Sequence, residues 1–442
     1  MKKAFLFALM VAGLLSCSKG IDSERELEGT PMTFDVKVAE TKAVKTSWVT
    51  GEKIYVFFNG LETKYLVLEF DGSRWTNTSG GGTLIDTDFS GLDTKTLTAV
   101  YFPVAVDVNY ADGKFSFTNG GKPVYNYYLY ETGKAYTIDG TTVSATLSMG
   151  KPADMVQIHV AGIQSDLAHY TFGCKKIKPV ACKSVSTDGT IVEDEFQAGA
   201  RLSGVSDSDG GIFAGRLTTP GVAADYVFTV ANDDYIYTMT RNGKILAAGK
   251  MYNFPALNVT GGTNWAITAA SDLYVDLGLS VKWAKCNIGA TTETEFGDYL
   301  AWGELNSKEE YSYTNYIFGW DPWSKYTGED YTTLQKEDDA AYAALGGKFR
   351  MPTQKEFEEL CSLIDQSTTV DGISGRSFTA DNGNRIFIPY NASSNSTGYY
   401  WSSTLRPYPT DAYPLYITST MWYTEGYRNR YEESAVRPVY AE

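Results

Sequence analysis

KIYVFFNGLETKYLVLEFDGSRW (53–75) sets the character of the chain. Ile54, Val56 and Phe58 recur at every second position, the period of a strand with one face buried. Asn59-Gly60 then ends the run, and Asp71-Gly72 separates the next strand-like stretch from its successor, a dipeptide suited to a tight hairpin. The same grammar continues in TLTAVYFPVAV (96–106), KFSFTNGGK (114–122) and AYTIDGTTVSATLSM (135–149). No helical period persists over three turns in this half. Met149-Gly150-Lys151-Pro152 makes a break, after which MVQIHVAGI (155–163), IFAGRLTTP (212–220), DYVFTVAND (225–233) and YIYTMTRNGKILAAGKMYNF (235–254) resume the pattern. Strands at this spacing predict two tandem antiparallel β-sandwiches, 30–149 and 150–260. In the second, alternation puts Val156, Ile158 and Val160 on one face and Gln157 and His159 on the solvent side.

Composition narrows the function classes. The chain has 442 residues, enough for several domains, and 53 acidic against 38 basic residues give a net charge of −15. Phosphate backbones need a basic surface, so no nucleic-acid partner is expected. The 32 Tyr and 42 Gly suit short strands joined by glycine turns, and Tyr also suits contacts apolar at one end and wet at the other. Only His159 and His169 are present, which excludes a multi-His metal centre and disfavours a His-based triad. Cys174 and Cys182, eight apart, are spaced to close a small loop in an oxidising compartment; Cys286 and Cys361 are either a pair or two buried thiols.

The first residues read as an address. MKKAFLFALMVAGLLSC opens with Lys2 and Lys3 and runs apolar from Ala4 to Leu15, too short for the roughly 20 residues of a bilayer span but suited to an export signal. Leu14-Leu15-Ser16-Cys17 resembles a bacterial lipobox, which implies a signal peptide over 1–16 and lipidation of Cys17. Ser18 to Glu28 is polar, and Asp22, Glu24, Glu26 and Glu28 make 17–29 a solvated tether. It is similar to the acidic stretch that sends lipoproteins to the cell surface in Bacteroidetes-type bacteria. The expected location is therefore the outer membrane, lipid-anchored and facing out.

Residues 17–262 resemble the fimbrillin-like proteins of Bacteroidetes. The likeness rests on TKAVKTSWVTGEKIYVFF with its Trp48-x-x-Gly51-Glu52 signature, on KPADMVQIHVAGI and on LAAGKMYNFPALNV. It implies two sandwiches behind a lipoprotein signal, and a role as pilus subunit or surface adhesin. Cleavage after an Arg, as in family pilins, would fall at Arg25, the one Arg before the first sandwich.

VTGGTNWAITAASD (259–272) is polar and reads as a linker over 261–272. Beyond it, YVDLGLSVKWAKCNIGATTETEFGDYLAWGE (274–304), GGKFRMPTQKEFEEL, GYYWSSTL and SAVRPVYAE resemble the Fibrobacter succinogenes major paralogous domain family. That family is related to the formylglycine-generating-enzyme and C-type-lectin-like folds, which implies an α+β unit over 273–442. The fold class as a whole is mainly β. Two helices are expected, Asp338–Leu345 and Pro352–Ile364; Thr353 and Glu356 form a capping box, and Phe357, Leu360, Cys361 and Ile364 face a core. Trp283, Trp401, Arg350 and Arg437 fall in the recurring motifs and read as fold-maintaining, and 303–336 and 390–412 as long loops.

Enzyme chemistry finds no foothold. The oxidase relatives use reactive Cys late in the fold, and this chain has none after Cys361. Gly-x-Ser-x-Gly, phosphate-loop and His-Glu-x-x-His motifs are absent, so no catalytic residue and no cofactor is assigned. Glu337-Asp338-Asp339 precedes a predicted helix and reads as dipole capping rather than a metal site. The Glu-Pro-Asn and Trp-Asn-Asp oxygens of a lectin calcium site are missing, with Trp401 followed by Ser402-Ser403, so no metal is assigned. What remains is aromatic: Trp302, Trp320, Trp323, Tyr326 and Trp422 are the expected ligand contacts, centred on FGWDPWSKY (318–326). The expected function is adhesion or binding, as tip or accessory subunit of a fimbrium, since a final unit ending near Val439 leaves no tail to donate onward. Expected partners are pilus subunits and a glycan or a host or neighbouring-cell protein. The alternatives are a glycan-capture lipoprotein of an uptake system and a hydrolase.

Overall fold

The computed structural model describes residues 29–39, 48–120, 122–124, 128–206, 209–257, 264–390 and 397–442, and the chain is mainly β. Cys17 and Arg25 lie outside the described residues. In the first unit the strand Lys53–Phe58 lies at the centre of a five-stranded antiparallel sheet, flanked by Tyr65–Phe70 and Thr96–Tyr101. Ile54, Val56 and Phe58 face one core, together with Val36 and Val143 from a small sheet in which Thr33–Val38 runs parallel to Thr142–Leu147. Tyr55 and Phe57 face a second core with Phe115, Phe117 and Val185. The central sheet is thus buried on both faces, and the alternation marks which core each residue enters rather than inside against outside.

The signature at 48–52 builds the edge of this unit. Glu52 accepts hydrogen bonds from the Val49 amide at 2.7 Å and the Tyr101 hydroxyl at 2.6 Å. Trp48 packs edge-on against Trp75 and Tyr101, with ring centroids 5.0 and 5.1 Å away.

The first two units interlock. Val180–Ser186 and Ile191–Glu195 form a hairpin that pairs back onto Lys114–Asn119 of the first unit. Met155, Val205, Ile212 and Ala214 likewise contribute to the first unit's core. This corrects the placement of Gln157 and His159 on the solvent side: Gln157 is fully buried and His159 nearly so, because Met155–Ala161 is itself covered on both faces. Its other face, Val156, Ile158 and Val160, meets Phe172, Phe213, Phe228 and Tyr237 inside the second unit.

Residues 266–269, within the segment read as a linker, form the strand Ala266–Ala269 and pair with Tyr235–Ile245. Trp265 beside it is buried, and its indole donates to the Pro255 carbonyl at 3.0 Å. The polar composition of 259–272 masked two anchors, Trp265 and Ile267, that pack into the second core.

In the third unit Lys282–Ala284 pairs with Val439–Tyr440, bringing the ends of the unit together. Trp283, Trp401 and Arg437 are fully buried there, and Arg350 is paired with Glu356. The helix Gln354–Cys361 has the expected capping box, with Thr353 accepting from Glu356 and Glu356 from Thr353. It stops three residues earlier than expected. Ile364 begins the strand Ile364–Val370 and is 73% exposed, so it is no core residue. The helix expected from Asp338 begins at Ala340, after a short turn, and the stretch read as loop 390–412 contains the strand Thr397–Leu405. Cys174, Cys182, Cys286 and Cys361 are free thiols, so the Cys174–Cys182 loop closure is not formed. Burial pushes the Cys174 thiol up to about 11.

Asp339 caps the helix Ala340–Leu345. Its carboxylate accepts from the amides of Ala341, Tyr342 and Met351 at 2.9–3.1 Å while 4% exposed. Burial raises its pKa to about 6, against hydrogen bonds that pull it down. A carboxyl raised in this way contributes stability that is complete below about pH 4 and lost as pH rises through about 6. The stability gap between the wild-type chain and Asp339→Ser, measured by urea unfolding, is expected to shrink by about 2 kcal/mol between about pH 4 and pH 7. A gap that stays flat contradicts this assignment.

The third unit is docked on the second through buried polar contacts. Arg201, 8% exposed, donates to the carbonyls of Tyr342 and Ala344 at 2.9 and 3.0 Å, the last turn of the helix Ala340–Leu345. A cation from one unit therefore caps the C-terminus of a helix in the next. Gly346 follows that helix at φ 69°, and a Cβ there would stand 2.7 Å from the Ala231 side chain and 2.8 Å from the Arg201 guanidinium carbon. Only glycine fits. Gln197 adds hydrogen bonds to the Gly303 carbonyl, Asp338 and the Leu305 amide, and Tyr440 and Phe349 pack with Ala231 and Ile236.

Candidate functional site

The loop 303–334 folds around Arg430. This residue has no exposed surface, yet its hydrogen bonds run to one phenol and three carbonyls, not to a carboxylate: Tyr316, Tyr326, Pro409 and Lys325, at 2.7–3.2 Å. Around it stand five rings, Trp302, Tyr316, Phe318, Trp323 and Tyr326, with centroids 4.5–5.8 Å from the guanidinium carbon. Desolvated cation–π contacts of this kind are worth about 2 kcal/mol or more each at best. They offset part of the cost of burying the charge.

Local constraints lock the loop. Gly303 has φ 76°, and a Cβ there would lie 2.7 Å from the Phe318 ring. Asp321 and Tyr326 adopt left-handed conformations, φ 48° and 62°, which non-glycine residues rarely hold. Tyr326 is fixed there because its amide donates to Asp330 at 2.8 Å and its hydroxyl to Asp338 at 2.7 Å. Lys325 bridges Glu337 and Asp338 at 2.7 and 2.6 Å; burial pulls its pKa down, but the two carboxylates outweigh it and hold the ammonium above its ordinary value.

The structure separates the five expected contacts. Trp302 and Tyr326 are fully buried, so they cannot meet a ligand as expected; their surfaces are consumed by packing on Arg430 and on each other, ring centroids 5.1 Å apart. They position the loop. Trp320 and Trp323 are half-buried and meet edge-on at 4.9 Å. Trp422 is half-buried but packs on a different core, with Leu415 and Ile417. Two residues missed from sequence complete the outer face: Tyr431, 5.3 Å from Trp320, and Tyr313, 54% exposed and 6.1 Å from Trp320. Tyr431 sits next to Arg430 in the chain, and a charged residue in GYRNRYEE gave no hint that it anchors the loop.

A cavity of about 540 Å³ lies between the loop and the second unit, lined among others by Gln197, Phe318, Lys325, Tyr331 and Asp338. Its carboxylates already hold partners, Asp194 with Lys183, Asp330 with the Tyr326 amide, and Glu337 and Asp338 with Lys325. Among the described residues no three His, Cys, Asp or Glu side chains converge as a metal site.

The class defined so far is a mainly β chain of three packed units, with an aromatic face on the last. No family model matches it, and no curated protein matches it. Solved structures with detectable likeness include a Bacteroides ovatus protein provisionally assigned to cell adhesion. It is 14% identical, with 55% of this chain and 96% of that chain covered, TM-score 0.28. Another is a Bacteroides ovatus fimbrial protein, 11% identical, with 94% of this chain and all of that chain (100%) covered, TM-score 0.24. A third is the fimbrial anchor protein Mfa2 from Porphyromonas gingivalis, 12% identical over 46% of this chain and 78% of that chain, TM-score 0.22. Identities and TM-scores this low establish no family.

Proposed function

We propose that the chain is a lipid-anchored protein of the outer cell surface, held through Cys17, that acts in adhesion. The first two units form its stalk, and the last presents Tyr313, Trp320, Trp323 and Tyr431 to a glycan or a protein on a host or neighbouring cell. In a fimbrium it takes the tip or an accessory position, with pilus subunits as partners. The observation that carries this reading is the Arg430 cage. Arg430 buries four of its five rings but keeps the fifth, half-buried Trp323, 4.5 Å away, and Trp320 packs on Trp323 and Tyr431, so these rings stay at the surface.

The test is binding of the whole chain to an array of glycans and matrix proteins, with calcium and with chelator. Saturable binding is expected, about tenfold or more weaker in Trp320→Ala/Trp323→Ala, because two aromatic anchors each carry about 1–2 kcal/mol. Binding that is unchanged in this variant contradicts the face, and loss in chelator contradicts the absence of a calcium site.

A further inference from the structure

On the third unit a second set of rings lies apart from the Trp320–Trp323 pair. Strand register places Tyr399 opposite Tyr416, and Tyr416 opposite Tyr423, so one tyrosine from each of three adjacent strands falls in a row across the sheet. The rings of Tyr399 and Tyr416 are 5.0 Å apart. The opposite face of the same strands is core, with Tyr400, Leu415 and Ile417 at 1%, 0% and 0% exposure, whereas Tyr423 is 45% and nearby Tyr427 68% exposed. Tyr399 and Tyr416 are half-buried, so the row opens outward at its Tyr423 end.

One arginine touches the row, and a second is paired with Asp411 on the middle strand. Arg428 lies 4.1 Å above the Tyr399 ring and pairs with Glu432, and Arg406 stands 5.3 and 5.5 Å from the rings of Tyr413 and Tyr427 and pairs with Asp411. Each cation meets an anion, and exposed Glu425 lies between Tyr423 and Tyr427, so the arginines leave no surplus positive charge here, on a chain whose net charge is −15. The hydroxyls of Tyr399, Tyr416, Tyr423 and Tyr427 have no hydrogen-bond partner among the described residues.

We infer that this row binds an uncharged polysaccharide. Tyr416 and Tyr423 take the apolar C–H face of a sugar, and the unpartnered phenols meet its hydroxyls; Tyr399, whose ring Arg428 covers, contributes its edge and hydroxyl. A polyanion would meet repulsion from the chain's net charge with no surplus cation to offset it. At strand spacing the three tyrosines span about 10 Å, room for about two linked sugar rings. The inference is independent of the Trp320–Trp323 face.

The experiment is affinity electrophoresis of the whole chain in gels containing hydroxyethylcellulose, laminarin or soluble starch. Retardation by at least one polymer is expected, unaffected by added salt and unaffected by Trp320→Ala/Trp323→Ala. Tyr416→Ala/Tyr423→Ala should weaken it about tenfold. Tyr416→Phe/Tyr423→Phe, which keeps the rings and the fold, should weaken it only a few-fold, through the lost hydroxyls. If the alanine pair lowers the melting temperature, the more exposed Tyr423→Ala/Tyr427→Ala replaces it, with a loss again expected. No retardation by any of the three polymers overturns the inference. So does retardation that survives the tyrosine changes, or that collapses with salt.

Discussion

Replacing Arg430 with Ala is expected to lower the stability of the third unit by about 4 kcal/mol and to abolish binding through its aromatic face. The magnitude follows from what the side chain holds. Its removal strands the carbonyls of Lys325, Tyr326 and Pro409, each in a site with little water to replace the lost donor. A buried acceptor left unpaired costs about 1–3 kcal/mol. The five surrounding rings also lose the body that spaces them, and a cavity of that size adds its own cost. Arg430→Lys keeps the charge but not the planar fork that reaches several acceptors at once, so it should recover only part of the loss. Thermal unfolding and near-ultraviolet circular dichroism check both effects, because Trp302 and Trp323 report directly on the cage. A variant as stable as wild type, with unchanged aromatic ellipticity, would show that the cage does not organise the loop.

Arg201→Ala should cost about 3 kcal/mol and, more tellingly, split one unfolding transition into two. Arg201 belongs to the second unit but satisfies the carbonyls of Tyr342 and Ala344 in the third. Without it the helix Ala340–Leu345 ends in a buried seam with its last acceptors bare. The third unit should then melt first, ahead of the two interlocked units. Burial holds the guanidinium's pKa down, at about 10, which still leaves it charged at neutral pH. Arg201→Lys, with one donor site in place of a fork, should give an intermediate result. Calorimetry that shows a single transition, undisplaced, would contradict the role given to this contact.

These two arginines mark where sequence reading stops. The period of two in 53–75 was legible because it is local, and so was the capping box at Thr353 and Glu356. The cap by Asp339 followed from acidic residues ahead of an apolar helix. Pairing across distance is not written locally. Nothing in VACKSVS announces that it joins Lys114–Asn119, and so the burial of Gln157 and His159 between two cores was not foreseen. The aromatic loop shows the same division. Its ring content was visible, but which rings turn inward depends on Arg430, a residue whose charge argues for the surface until its cage is seen. Trp302 and Tyr326 were therefore assigned to the ligand when they belong to the scaffold. The tyrosine row was hidden for another reason: Tyr399, Tyr416 and Tyr423 come together only through strand register.

The most direct measurement is hydroxyl-radical footprinting of the whole chain, free and bound to the array ligand it retains best among those whose binding survives Tyr416→Ala/Tyr423→Ala. The account predicts protection at Tyr313, Trp320, Trp323 and Tyr431, and unchanged reactivity at Trp302 and Tyr326, which are buried in either state. Protection confined to other parts of the surface, with the Trp320–Trp323 pair as reactive bound as free, would contradict it.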